Sequence, residues 1–474
     1  MEIIGRARER RILTRCWDSD RPEFIAVYGR RRVGKTYLIT EHFGNKFAFS
    51  LTGISGGSMK EQLREFQRSL MKHYQGDVAA PKGWHEAFAL LESRIAQDPT
   101  LGKKVIFIDE LPWLDTHKSG FLPALEHFWN AFASRRPDVL LIVCGSAASW
   151  MINNLIDNYG GLHNRVTETI VVEPFPLHDC EAFFLSKGVA FNRMQIAEAY
   201  MILGGIPYYM GAMDKMLGLN QNIDLLLFEK NAKLGNEFNR LYHSLFRHAG
   251  NHIRAVETLA KSGPGMTRHE LSAASGISDG GGLTKVLAEL ESCGLTGRNS
   301  DIRGGRNGDY FKLVDFYSLF YLKYLKNRKN PDPHYWTNYL SDPAHRAWCG
   351  YAFERLCMAH IGQIKQRLGI SGVITNVCAF RSRQQKGGAQ IDIVIDRRDD
   401  TINLCECKYH NKPYALTEMD AADLERKKEA FLRETGAKKS IHMTMITANG
   451  LAHNAHRNGI QAEIVLDDLF LPLL

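Results

Sequence analysis

Apolar positions along the chain fall into two kinds of pattern. Short continuous runs occur at Glu23-Phe24-Ile25-Ala26-Val27-Tyr28, at Val105-Ile106-Phe107-Ile108 and at Val139-Leu140-Leu141-Ile142-Val143-Cys144. Each is the length of one strand and carries no polar alternation, as expected for strands buried on both faces of a parallel sheet. From about 176 to 240, Leu, Met, Phe and Tyr recur at helical spacing, broken at Gly204-Gly205, which predicts a small helical lid. Three short amphipathic stretches follow, at 253–260, 267–272 and 283–290. Thr267 and Glu270 are spaced as a capping box and Gly276 marks the intervening turn, giving a helix-turn-helix. A polar, glycine-rich tract, 298–309, and the strand-like Tyr310-Phe311-Lys312-Leu313 then predict a β-wing. The charged Asn327-Arg328-Lys329-Asn330-Pro331-Asp332-Pro333 reads as a linker. Beyond it come a helix over 348–368 and two strands, 389–396 and 402–408, joined by a polar turn. The expected fold class is a multidomain α/β protein with boundaries at 1–175, 176–240, 241–330 and 335–474.

The first apolar run leads directly into Gly29-Arg30-Arg31-Arg32-Val33-Gly34-Lys35-Thr36 and then a helical pattern beginning at Tyr37. Strand, glycine loop and helix in this order form a phosphate cradle of backbone N–H groups. The spacing assigns Lys35 to the β- and γ-phosphates of ATP and Thr36 to Mg²⁺. The second run ends in Asp109-Glu110. Asp109 is placed to hold Mg²⁺ through water, and Glu110 to polarise the water that attacks the γ-phosphate. Ser146, at the end of the third run, is a candidate γ-phosphate contact.

This order of Gly29, Lys35-Thr36, Asp109-Glu110 and Ser146 resembles AAA+ and STAND-type P-loop ATPases, in the prokaryotic group that adds a winged helix and a C-terminal nuclease-like domain. Gly5-Arg6-Ala7-Arg8-Glu9 is similar to that group's N-terminal motif, which lies near adenine. Gly205-Ile206-Pro207 is similar to the G-x-P motif of its lid, which brings Pro207 to the nucleotide. The resemblance also implies that Arg165 senses nucleotide. If Arg165 acts across subunits, a homo-oligomer formed with ATP is the expected assembly.

In the last segment, strand alternation puts Glu406 and Lys408 on one face and Cys405 and Cys407 on the other. If Asp392 faces them from the neighbouring strand, Asp392, Glu406 and the Cys407 carbonyl bind Mg²⁺ or Mn²⁺ together. Lys408 then stabilises the reacting phosphate, and Glu354 enters from the helix as a further metal ligand. The set Glu354, Asp392, Glu406-Cys407-Lys408 resembles the PD-(D/E)xK nucleases, with Gln390-Ile391 in place of their proline. The resemblance implies a restriction-endonuclease-like α/β domain and metal-dependent cleavage of DNA under ATP control. The alternative is a nucleotide-dependent switch that binds DNA or protein and leaves this domain as a docking module. Nothing in these residues separates DNA from RNA.

Composition changes the picture in one place. The 474 residues are 44% hydrophobic and 24% charged with a net charge of +8, an ordinary globular usage. Residues 240–329 hold 14 Lys plus Arg against 8 Asp plus Glu, so most of the surplus positive charge lies on the helix-turn-helix segment. That is a footprint for DNA, with Arg298, Arg303 and Arg306 of the wing assigned to phosphates. The nine Cys include no Cys-x-x-Cys pair and read as reduced, buried thiols. No apolar run is long enough to span a membrane and the first residues lack a signal-peptide pattern, so the expected location is cytoplasmic, with no membrane partner.

Overall fold

A computed structural model describes residues 3–157, 162, 164–263, 265–303, 309–328, 332–382 and 388–473. It forms two compact units, residues 1–174 with 243–247, and residues 175–242 with 248–474. The last three segments expected from the sequence therefore fall largely within one unit.

The first unit is built on a parallel sheet of β1 (Glu23–Tyr28), β2 (Phe49–Thr52), β3 (Lys104–Asp109), β4 (Val139–Gly145) and β5 (Glu168–Val171). Its order is β2-β3-β4-β1-β5. The three apolar runs are the central strands, with Phe24, Ile106 and Leu141 fully buried. Placing β4 between β1 and β3 brings three carboxyl-terminal strand ends side by side, where chemistry collects in open parallel sheets. One face carries an aromatic layer in which Phe88 stacks on Phe128 at 5.1 Å and meets Phe66 edge-on at 6.0 Å. Helix Met59–His73 enters that layer through a capping box made by Ser58 and Glu61.

The second unit begins with helices Leu177–Ser186 and Arg193–Leu203, followed later by Gly250–Leu259, Arg268–Ser275 and Gly281–Ser292. Thr267 and Glu270 form the expected capping box, and Gly276 closes the helix at φ 68°. These helices are accompanied by an antiparallel sheet of β6 (Met266–Thr267), β7 (Thr296–Ser300) and β8 (Asp309–Leu313), with β8 in the centre.

A five-stranded mixed sheet completes the unit, from β9 (Thr375–Arg381), β10 (Gln390–Arg397), β11 (Thr401–Lys408), β12 (Ser440–Thr447) and β13 (Ala462–Val465). They lie in the order β13-β12-β11-β10-β9. β10 is antiparallel to both neighbours, whereas β11, β12 and β13 run parallel. Ile391 pairs with Phe380 and Val394 with Cys378, so Asp392 and Ile393 together oppose Ala379. This is a β-bulge, a device that re-aims a side chain.

The stretch expected to be a linker does not separate two bodies. Arg328 donates to the Phe228 carbonyl at 3.0 Å and covers its ring at 5.2 Å. On the far side, Trp336 and Trp348 both pack on Phe320, at 5.0 and 5.4 Å. Aromatic residues on either side share one core, which outweighs the local effect of charge and proline.

Candidate functional site

The glycine loop takes the backbone shape that its composition allows. Gly29 has φ 145°, and a Cβ there would lie 2.2 Å from the Val172 carbonyl oxygen, so no side chain fits. Gly34 has φ 94° immediately before helix Lys35–His42. Between them Arg32 sits at φ 71° without being glycine, a conformation that costs on the order of 1–3 kcal/mol and is held by its surroundings. Arg6, itself at φ 61°, donates to the Val33 carbonyl at 3.0 Å and fastens the loop from the N-terminal segment.

Lys35 is the centre of the arrangement. Its ammonium is buried and donates to the carbonyls of Gly29 and Arg30, both at 2.9 Å, and to Ser146 Oγ at 3.1 Å. Ser146 in turn donates to Glu110 Oε1 at 2.9 Å. Thr36 Oγ1 donates to Asp109 Oδ2 at 2.7 Å, and the other Asp109 oxygen accepts the Glu110 N–H at 2.9 Å. Glu110 is held at φ 48°, with the Gly53 backbone close behind it: a Cβ on Gly53 would lie 2.5 Å from the Glu110 carbonyl oxygen. Lys35, Thr36, Asp109, Glu110 and Ser146 are thus one connected set.

The donors suit a nucleotide phosphate with its metal. Lys35 meets only neutral acceptors among its hydrogen-bond partners, so its charge awaits an anion. Thr36 and Asp109 supply a hydroxyl and a carboxylate side by side, the hard oxygen donors that Mg²⁺ prefers. The first-turn N–H groups of helix Lys35–His42, including those of Thr36 and Tyr37, have no acceptor within the helix and can receive phosphate oxygens. Of the remaining loop residues, Arg30 and Val33 are buried, Arg31 and Arg32 half-buried, and the Tyr37 ring exposed. Arg165 is exposed in the turn before β5. Pro207 opens helix Pro207–Met210 and belongs to the second unit.

The second predicted set is also assembled. The β10–β11 ladder pairs Ile393 with Cys405, and continuing that register sets Asp392 opposite Glu406. Asp392 Oδ2 accepts the Cys407 N–H at 2.8 Å. Burial raises the Asp392 carboxyl well above the usual carboxylate range, and the charges of Glu406 and then Glu354 raise it further. Lys408 donates to Glu406 Oε1 at 3.0 Å, as strand alternation requires.

Two lysines here were not foreseen. Lys427, from helix Glu418–Thr435, reaches Glu406 Oε2 at 2.7 Å, and Lys312 of β8 pairs with Glu354 Oε1 at 3.4 Å. Lys427 follows Leu424 by three residues and precedes Phe431 by four, which puts a lysine on the buried stripe of an amphipathic helix. That spacing is the signal available in the sequence.

With these lysines in place, the acids do not enclose a metal. Both Glu406 oxygens carry ammonium groups and one Glu354 oxygen does. Among the described residues no group of three or more His, Cys, Asp or Glu side chains is placed to hold a metal ion. Cys407 meets Asp392 through its N–H rather than joining it as a carbonyl ligand.

The wing arginines are engaged internally. Arg298 pairs with Glu291 at 3.1 Å and Asp309 at 3.4 Å, while remaining half exposed. Arg303 is nearly buried, bound to Asp301 Oδ2 at 2.5 Å and Glu434 Oε2 at 2.9 Å. The expected phosphate role of Arg303 is therefore corrected: its charge is neutralised and its guanidinium covered, because the wing docks on the C-terminal sheet through the Asp301–Ala379 bridge. Arg306 lies outside the described residues.

Residues 4–213 match an ATPase domain family found predominantly in Archaea. A curated relative, an uncharacterized protein of Methanocaldococcus jannaschii, is 27% identical over 208 residues, or 44% of this chain and 43% of that protein. An uncharacterized ATP-binding protein of the same organism is 44% identical over 44 residues, covering 9% of this chain and 75% of that protein. This chain thus spans less than half the length of the first relative. Among solved structures, the Walker-type ATPase PABY2304 of Pyrococcus abyssi aligns over 68% of this chain and 96% of its own, at 17% identity and a TM-score of 0.48. The Aeropyrum pernix ORC2 protein in its ADPNP–ADP complexes aligns over 68% and 93%, at 14% identity and a TM-score of 0.43.

Proposed function

We propose, from the premise that residues 4–213 carry an archaeal-type ATPase domain, that this chain binds and hydrolyses ATP at Lys35 and uses its nucleotide state to govern an action of the second unit on DNA. The observation that carries the first half is the connected path from Lys35 through Ser146 to Glu110, with Thr36 and Asp109 beside it. ATP with Mg²⁺ supplies the anhydride to be broken and a shield for its charge. Lys35 draws the terminal phosphates into the glycine loop, and the backbone N–H groups of residues 34–36 fix their orientation. Thr36 and Asp109 would hold the metal. Glu110 accepts a proton from the attacking water, while Ser146 keeps its carboxylate turned toward the loop. Arg165 extends the proposed nucleotide contacts, and the finer assignment to AAA+ or STAND-type ATPases rests on the motif resemblance.

The test is equilibrium binding of a fluorescent ATP analogue together with phosphate release. Lys35→Ala is expected to lose most binding. Retention of wild-type affinity in that variant would remove the assignment.

A second reading concerns the C-terminal sheet, with Asp392, Glu406 and Lys408 as a metal-dependent nuclease centre and Glu354 as an added acid. It is favoured by one observation, the placing of a buried Asp392 carboxyl beside Glu406 and Glu354, where burial first and the two neighbouring acids second raise it, a cost that a divalent cation relieves. The lysine-compensated arrangement instead favours the docking module that binds without cutting. A cleavage assay on single-stranded, duplex and branched DNA and on RNA, with Mg²⁺ or Mn²⁺ and with or without ATP, decides between them. Cleavage lost in Asp392→Ala supports the nuclease; intact ATPase with no cleavage under any condition supports the docking module.

A further inference from the structure

The first unit takes five residues from the middle of the chain. Residues 243–247 belong to it, although the residues on both sides of them belong to the second unit. They run from the last turn of helix Glu237–Leu245 into the turn before helix Gly250–Leu259. Leu245 and Phe246 are buried, while Arg247 is exposed and donates from Nη2 to the Asp115 carbonyl at 2.9 Å. No local pattern marks this arginine, because its partner lies 132 residues earlier in the chain.

Asp115 stands where two segments that leave the nucleotide site meet. It follows Glu110 across the short turn Leu111–Trp113, which the Trp113 N–H closes on the Glu110 carbonyl at 3.0 Å. Its Oδ2 accepts the indole N–H of Trp150 at 3.3 Å, and Trp150 lies on helix Ala148–Met151, directly after Ser146. Burial raises the Asp115 carboxyl, and the Trp150 bond and then the Arg247 charge offset part of that rise. Ser146 donates to Glu110 and accepts from Lys35. The contacts therefore close a ring through Ser146, Trp150, Asp115 and Glu110, with Lys35 joined at Ser146 and Arg247 joined at Asp115.

Beyond Arg247 the chain passes into a helix that is fastened to another. His252, in the first turn of helix Gly250–Leu259, meets Glu289 of helix Gly281–Ser292 at 2.7 Å. The chain passes between the two units at 174–175, 242–243 and 247–248. The first crossing follows β5, whereas the other two bracket the segment that Arg247 fastens to the turn after Glu110.

We propose that residues 243–247 are the strap through which nucleotide at Lys35 acts on the second unit, with Arg247 as the positioning residue that ties it to the ring of contacts behind Glu110 and Ser146. A phosphate that engages the Lys35 ammonium competes with Ser146 for it. Ser146 thus has different partners with and without nucleotide, which is the differential contact that a shift between two states requires. Trp150 and Asp115 follow Ser146 and Glu110, and Arg247 hands the change to helix Gly250–Leu259 through the backbone. The proposal rests on the reading of Lys35 as the ATP site and names the route of its control.

The experiment is amide hydrogen exchange of the full chain, followed peptide by peptide, with and without a β,γ-imido ATP analogue and Mg²⁺. In the wild type the analogue is expected to slow exchange at 29–42, at 110–116 and at 250–259, the last by about fivefold or more, the lower end of ordinary coupling between sites. Arg247→Ala should keep the protection of 29–42 and lose most of the change at 250–259. Arg247→Lys can still donate to the Asp115 carbonyl and should restore that change, which separates loss of the contact from loss of fold. Trp150→Phe, which removes the indole N–H, should weaken the change in the same sense. A wild-type response at 250–259 in Arg247→Ala would assign the coupling to the crossing at 174–175 and overturn the proposal. A wild type in which 29–42 responds and 250–259 does not would also overturn it while leaving the ATP site in place. Absence of protection at 29–42 in the wild type would overturn both.

Discussion

The two clusters of charged residues in this chain balance their charge in opposite ways. At the glycine loop a buried lysine donates only to carbonyls and a serine hydroxyl, and the nearby acids are engaged by a hydroxyl and an N–H. In the C-terminal cluster Glu406 and Glu354 hold ammonium groups directly, while Asp392 accepts a backbone N–H. The first arrangement is incomplete without an external anion, whereas the second is nearly neutral as it stands. Apparent abundance of catalytic residue types is therefore a poor guide to readiness. The partners of each charge decide which site is poised for a ligand.

The strongest way to break this comparison is to alter Glu110. Glu110→Gln keeps the hydrogen bond from Ser146 but removes the base, so ATP turnover is expected to fall by about 10²–10⁴-fold with nucleotide affinity retained. Phosphate release and equilibrium binding on one preparation check this. Unchanged turnover would mean that the water is activated by another group and that the path through Ser146 is structural only.

A paired substitution compares the two lysine environments directly. Lys427→Met leaves Glu406, 6% exposed, with one counter-ion in place of two. Removing one partner of a buried ion pair typically costs about 3–5 kcal/mol, and the shared Lys408 places the expected loss near the lower end, about 3 kcal/mol. Lys35→Met removes an ammonium that meets neutral acceptors, so apo stability should hardly change while ATP affinity collapses. Denaturant unfolding of both variants, with and without nucleotide, reads the contrast. Equal destabilisation by both would erase the distinction.

Much of the loop site was legible because its parts obey local rules. A strand, a glycine loop and a helix must be contiguous, so Gly29 through Thr36 carry their geometry in their order, and Asp109-Glu110 announces itself at the end of an apolar strand. Within β11, alternation alone placed Lys408 beside Glu406. What escaped was contributed by distant segments. Lys427 and Lys312 reach the C-terminal acids from a helix and from another sheet, and Arg303 is covered because β7 continues into a bridge with β9. Spacing along one segment carries no information about which other segment folds over it. The linker failed for the same reason: proline and charge at 327–333 are local signals, while Phe228, Phe320, Trp336 and Trp348 form a core through non-local packing.

Acid should destabilise the second unit through a buried histidine. His360, 1% exposed, accepts the Leu177 N–H at Nε2 at 3.0 Å, and burial pushes its imidazole down to about 4. A neutral His in the folded chain and a protonated one in the unfolded chain mean that unfolding takes up a proton between about pH 6.5 and 4. Stability of the second unit is therefore fully present above that window and falls as pH drops through it, by at most about 3 kcal/mol. His360→Gln keeps an acceptor for Leu177 and cannot protonate, so its stability should vary less with pH. Thermal unfolding across this range checks the slope. An identical slope in the variant would assign the acid loss to other groups.

The smallest expected effect tests where the ATPase family segment ends as a physical object. The family match runs to residue 213, yet helix Arg193–Leu203 lies in the second unit with the C-terminal sheet. There Tyr409, the residue after Lys408, donates its hydroxyl to the half-buried Glu198 at 2.8 Å. Burial raises the Glu198 carboxyl, and this hydrogen bond partly offsets it. Tyr409→Phe leaves ring packing against Phe353 in place and deletes only the hydroxyl, for an expected loss of about 1 kcal/mol. If helix and sheet unfold as one body, that loss appears in the transition of the second unit and leaves the ATP-stabilised transition unmoved. If instead the ATP-stabilised transition shifts, residues 177–213 unfold with the nucleotide site, and the division between the two charge arrangements no longer coincides with the division between the units.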